Sequence, residues 1–353
     1  MVLLPDLQIE NYRLFQNFKL ERLARVNLVA GRNNVGKSAL LEAVYLVEAR
    51  NFYTALSRIL RERGESNDPT TRGWVLYPLF FNYRLTENSI IEVKTGKRQL
   101  RIFVPPRQEW DAIAEQRSLA RRKDIDDEAV IPIRFEHSEK QPLNLFINPE
   151  GITTDRRFPT QLRTSKPEHV HLIRGTDSLY DRYRYLAALW DKITLTDEAD
   201  MVIKVLRIIE PTIEKIDFLS RQNNVKVLLE GVEEPIFIGS LGDGMHHLLM
   251  IAVTLANAQK GLLLLDEIET GLHYSVLVDF WRLLFQAARE LDVQIIATTH
   301  SWGCIAAFSQ VWNEVEETEG QFCRLGRVGE QILTEFYPPD ELAFAVEQGI
   351  EIR

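Results

Sequence analysis

The octapeptide GRNNVGKS at residues 31–38 restricts the fold more than any other stretch of the chain. It satisfies G-x-x-x-x-G-K-[ST] without mismatch, a pattern that holds phosphates where a strand enters the loop and a helix leaves it. Both flanks are legible. RVNLVAG, residues 25–31, is a compact apolar strand, and SALLEAVYLVEA carries Leu40, Leu41, Val44 and Val47 at helical spacing. In such a loop Gly31 and Gly36 let backbone N–H groups turn inward around the phosphates. Lys37 supplies a point charge to the β and γ groups, and Ser38 offers a hydroxyl to Mg²⁺. Gly31, Arg32, Asn33, Asn34, Val35, Gly36, Lys37, Ser38 and Ala39 are therefore the expected nucleotide-binding residues, with ATP and Mg²⁺ as ligands.

The last third supplies the acidic partners. GLLLLDE (261–267) and VQIIATTHS (293–301) are apolar runs separated by a helical stretch, as in a parallel sheet covered on both faces. Asp266 would then stand at the carboxyl end of a strand, where doubly wound sheets bind ligands, as the Mg²⁺ residue. Glu267 is the expected catalytic base that polarises the attacking water, and Lys37 completes the charge around the phosphates. His300 ends the neighbouring strand and is expected to contact the γ-phosphate. GSLGDG (239–244) opens the helix MHHLLMIAVTLANAQ. Ser240 is a plausible cap for it, while Ser240, Gly242 and Gly244 together expose N–H groups that could form a second anion site. With one phosphate loop already present, that site makes most sense facing the nucleotide of another subunit.

Elsewhere, residues 6–22 alternate as two short strands around Asn11, Tyr12 and Arg13, and residues 72–105 alternate again in VLYPLFFNYRL, SIIEVKT and QLRIFVPP. Residues 107–131 look helical and strongly charged. Residues 140–175 look like loops and short strands, and 176–217 like one or two helices running through ADMVIKVLRIIEPTIEKI. The organisation expected is an N-terminal ATPase lobe with a β-rich subdomain (1–105), a partly helical insertion (106–235) and a C-terminal lobe (236–353). The fold class is α/β, a P-loop ATPase head with a mixed, largely parallel core sheet.

A net charge of −9 argues against a surface that coats nucleic acid, though a local groove remains open. Residues 97–123 hold eight Lys or Arg against three acidic residues, and Arg156, Arg157, Arg163, Lys166 and Arg174 follow. Solvated loops balanced by Asp124, Asp126, Asp127 and Glu128 explain the same letters. Cys304 and Cys323 show no metal-ligand or disulfide spacing, and no apolar run is long enough to span a membrane, so a cytoplasmic protein is expected.

The ordered set LQIENYRLF, VNLVAGRNNVGKSALLEAVYLV, SLGDGMHHLL, LLLLDEIETGLHYS and IIATTHS resembles the ABC-class ATPases outside the transporters. These are the SMC-like repair ATPases, the mediator RecF and, above all, the ATPase module of the overcoming-lysogenization-defect (OLD) family. The similarity covers the first fifty residues and roughly 236–310, and the terminal PPDELAFAVEQGIEIR looks like related AAA-labelled prokaryotic ATPases. The resemblance implies that Glu267 is the catalytic base, His300 the switch histidine, and Ser240, Gly242 and Gly244 a signature acting across an ATP-dependent dimer. SLGDG departs from the transporter signature, and no glutamine loop is placed. Full OLD proteins add a TOPRIM nuclease, for which about fifty residues after His300 are too few; the Asp124-x-Asp126 pair reads as surface. The resemblance implies a dimeric switch for a separately encoded effector such as a nuclease or toxin, in phage defence, with DNA repair or recombination as the alternative.

Overall fold

The computed structural model describes residues 3–65, 74–110, 112–113, 131–147, 168–177, 179–219 and 222–352. The charged stretch around Asp124 and Asp126 and the basic residues Arg156, Arg157, Arg163 and Lys166 lie outside them.

Two sheets sandwich one helix. The core sheet is built on β3 (Val26–Gly31), β12 (Leu262–Asp266) and β13 (Gln294–Thr299), every residue of which is buried. Burial on both faces explains why these strands read as continuous apolar runs. With β8 (Val170–Arg174), β14 (Gly320–Val328) and β15 (Gln331–Tyr337) the order is β15-β14-β3-β13-β12-β8, parallel except for the β14–β15 hairpin. A second, antiparallel sheet runs β2-β1-β4-β5-β6-β7, from β1 (Leu7–Tyr12), β2 (Phe15–Leu20), β4 (Ile90–Thr95), β5 (Arg98–Phe103), β6 (Ile131–His137) and β7 (Lys140–Ile147).

Between the sheets lies α1 (Lys37–Glu48), buried nearly all round, as a helix covered on every side must be. Its Leu40, Leu41 and Val44 share one core with Ile9 and Val93 of the antiparallel sheet and Leu264 and Ile296 of the core sheet. Next in the chain come α2 (Phe52–Glu62), α3 (Leu179–Ile193), α4 (Asp197–Leu206), a small sheet of β9 (Ile213–Leu219), β10 (Asn224–Leu229) and β11 (Ile236–Phe237), α5 (Asp243–Asn257), α6 (Leu277–Glu290), α7 (Trp302–Trp312) and α8 (Pro339–Glu347). From α3 onward these helices cover the far face of the core sheet in a second core that includes Leu186, Val202, Leu249, Trp281 and Phe308.

Val170–Arg174, one of the short strands expected within 140–175, is a fully buried member of the core sheet. Two stretches differ from expectation. Tyr77–Leu79 and Phe81–Tyr83 form two 3₁₀ turns rather than a strand, the first with Pro78 as its second residue, whose missing N–H and fixed φ suit a first helical turn. The helix expected through residue 217 stops at Leu206, and β9 starts two residues after Pro211, which an α-helix interior does not accommodate. No helix among the described residues is long and apolar enough to cross a membrane.

Candidate active site

β3, β12 and β13 run parallel, so their carboxyl ends meet at one edge of the core sheet, and the loop residues 31–38, Asp266 and His300 are brought there together. The loop turns through Asn34 at φ 62° and Gly36 at φ 95°, the second a conformation that side chains other than glycine rarely adopt. A Cβ on Gly36 would also come within 2.9 Å of the Phe15 ring. Lys37 is buried at the start of α1, and its Nζ donates to the carbonyl oxygens of Gly31 at 2.6 Å and Arg32 at 2.9 Å. Burial lowers the Lys37 pKa, an effect opposed by the nearby carboxylates of Asp266, Glu267 and Glu269.

Thr298, which sequence reasoning missed, organises the acidic pair. Its hydroxyl donates to Asp266 Oδ1 at 2.6 Å and accepts the Glu267 N–H at 3.0 Å. Register explains the contact: Leu265 pairs with Ala297, so the next residues, Asp266 and Thr298, lie side by side on adjacent strands. Glu267 leaves the strand in the left-handed region at φ 54°, uncommon for a non-glycine residue and a strain typical of functional turns. His300 Nδ1 stands 3.7 Å from Glu267 Oε1 and 3.6 Å from Glu269 Oε1, and its backbone N–H donates to Glu269 at 3.3 Å. Glu269 was also missed. Its Oε2 is buried without a hydrogen-bond partner.

Ser38 offers a hydroxyl oxygen and Asp266 a carboxylate at this edge. That donor set fits Mg²⁺, a hard cation usually held by one or two protein oxygens together with substrate phosphates. A cavity of about 300 Å³ beside the loop is lined by Arg13, Leu14, Asn33, Asn34, Lys37, Ser38, Arg63, Tyr83 and Glu267.

Behind it lies a cluster that the sequence did not disclose. Glu42 of α1 is fully buried and receives Arg13 at 2.9 Å, Arg63 at 2.7 Å and Arg174 at 2.7 Å. Burial alone would push the Glu42 carboxyl up, but the three guanidiniums outweigh it and hold the pKa below the usual range. Arg13 in turn makes a bidentate bond to Glu65, at 2.7 and 2.9 Å.

The segment 239–244 leads into the start of α5. Ser240 lies in a 3₁₀ turn and does not cap α5; the cap position is Gly242, with no side-chain bond. Ser240 and Gly242 are exposed. Gly244 meets the chain's own Gly271 so closely that a Cβ on it would fall 2.1 Å from the Gly271 carbonyl oxygen.

Residues 26–303 match the AAA_21 family, described as "AAA domain, putative AbiEii toxin, Type IV TA system". An "ATP/GTP phosphatase" of Helicobacter pylori is 21% identical over 338 residues, which cover 88% of this chain and 89% of that protein. The "DNA double-strand break repair Rad50 ATPase" of Archaeoglobus fulgidus is 50% identical over 44 residues, 12% of this chain and 5% of that protein. Among solved structures, an SMC head bound to the C-winged helix domain of ScpA superposes with a TM-score of 0.52 at 11% identity, covering 95% of this chain and 97% of that one. An Smc head with an extended coiled coil, bound to the C-terminal domain of ScpA derived from Pyrococcus furiosus, gives 0.51 at 11% identity, covering 99% of both chains. These likenesses establish the fold of a P-loop ATPase head.

Proposed function

Because this chain belongs to the AAA_21 family and is an ATPase with the fold of an SMC head, we propose that it is a dimeric switch whose two copies sandwich ATP and control a partner effector, in anti-phage defence. The loop 31–39 binds the phosphates, Lys37 neutralises them, Glu267 polarises the attacking water and His300 contacts the γ-phosphate. Ser38 and Asp266 would hold Mg²⁺, which when bound offsets phosphate charge. Ser240, Gly242 and Gly244 face the nucleotide of the second copy.

The observation that carries the switch reading is the backbone contact between Gly244 and Gly271. It joins the start of α5, beside the exposed Ser240 and Gly242, to the turn that follows Glu267, so a movement of that turn on hydrolysis would reach a solvent-facing surface. Such coupling needs ATP to prefer the closed pair, and about 5.5 kcal/mol of preference shifts it almost completely. The effector is a separately encoded nuclease or toxin.

Light scattering of Glu267→Gln with and without ATP and Mg²⁺ tests this. An ATP-dependent dimer or larger assembly is expected, while Lys37→Ala loses nucleotide binding and stays unchanged in size. Equal loss of binding in both variants defeats the role of Glu267, and an ATP-independent size defeats the cross-subunit role of Ser240. The 44-residue match to a Rad50 ATPase favours a second reading, a DNA-binding ATPase in repair or recombination. Short duplex DNA that co-migrates with the assembly, with affinity falling steeply in salt, would favour it over effector control.

A further inference from the structure

The cavity beside the phosphate loop is polar at the end formed by Lys37, Ser38 and Glu267, but Leu14 and Tyr83 give it an apolar part. Its volume, about 300 Å³, is at the lower end for small-molecule sites. Tyr83 is unusual there in two ways. Its side chain belongs to a large aromatic residue that is 62% exposed, and its backbone, like that of Asn82 before it, is left-handed, at φ 57° and 53°. Asparagine tolerates that region; a bulky aromatic residue rarely enters it.

The neighbouring residues hold it in place. Leu79 and Phe80 are buried, the Arg13 N–H donates to the Leu79 carbonyl at 2.8 Å, Phe80 bridges Tyr12, and the Tyr83 N–H closes onto Phe80 at 2.9 Å. The turn is thus anchored to the end of β1 and the β1–β2 connection, next to β2, whose Phe15 ring abuts Gly36. Strained conformations persist where the surroundings fix them, and here the fixed product is an aromatic ring displayed at the phosphate loop.

We infer that Tyr83 is the platform on which the base of the nucleotide stacks, in a cavity that Leu14 also lines, so that the site takes nucleotides in preference to bare polyphosphate. This rests on the reading that the loop 31–39 binds nucleotide phosphates. An aromatic face beside a phosphate cradle suits a planar base, because stacking is strong and tolerant of hydrogen-bonding pattern.

Calorimetry compares ADP with tripolyphosphate, both with Mg²⁺, on wild type, Tyr83→Ala and Tyr83→Phe. Tyr83→Ala should weaken ADP about tenfold and leave tripolyphosphate unchanged, with Tyr83→Phe restoring the ADP affinity. Tyr83→Trp gives an independent optical reading: its added fluorescence should respond to ADP and not to tripolyphosphate. Equal weakening of both ligands, or an unaltered ADP affinity in Tyr83→Ala, overturns the stacking role. A wild-type protein that binds neither ligand overturns the nucleotide site itself, which separates that failure from the first.

Discussion

At the scale of single residues, the site depends on a hydroxyl that no motif names. Thr298 holds Asp266 and the Glu267 backbone at once, so removing its oxygen frees both acidic residues while leaving the phosphate loop untouched. Thr298→Val, which preserves shape, is expected to lower kcat for ATP roughly 10- to 100-fold, in line with outer-shell losses at catalytic sites, with ATP affinity changed far less. Steady-state ATPase assays check this, and an unaltered kcat would show that the clamp has no catalytic weight. The loop, Asp266, Glu267 and His300 were legible because each is spelled out by its neighbours in sequence. Thr298 and Glu269 were not, because their significance lies in bonds between strands and loops, between residues 266 and 298 and between 269 and 300. The cross-strand register that creates the first of these is invisible in a string of letters.

At the scale of elements, α1 shows where patterning is informative and where it stops. Its apolar spacing announced a helix, and the fully buried ladder of β3, β12 and β13 was equally plain. Nothing marked Glu42 as the meeting point of guanidiniums from positions 13, 63 and 174, since those come from three separate parts of the chain. The place of Val170–Arg174 in the core sheet was obscured for a related reason: five residues of edge strand carry little periodicity, and their burial comes from β12 alongside and the helices above. Breaking a buried cluster by neutralising one member leaves its partners uncompensated. Glu42→Gln is therefore expected to destabilise the protein by roughly 3–5 kcal/mol, read as a lowered urea midpoint. A midpoint within error of wild type would mean that the three arginines find water instead.

At the scale of the whole molecule, buried histidines set an acid limit. Burial pushes both His171 and His247 from the ordinary 6.5 down to about 4. Between those values the unfolded chain binds more protons than the folded one, so stability is complete above about pH 6.5 and falls as pH drops toward 4. Urea midpoints across this range should decline, and the double variant His171→Gln, His247→Gln should decline less steeply; parallel slopes would mean that these imidazoles do not set the limit, since carboxylates with depressed pKa values, such as Glu42 and Glu48, lose their contribution only further into acid. The strand order has a different reach. β3 pairs only with β13 and β14, which come from the far end of the chain. During synthesis at about 5–20 residues per second, the strand that delivers the phosphate loop waits on the order of tens of seconds for its neighbours. For that interval a hydrophobic strand with two unpaired edges leaves the ribosome, so the protein's yield in a cell is governed by whatever shields that strand until its partners arrive.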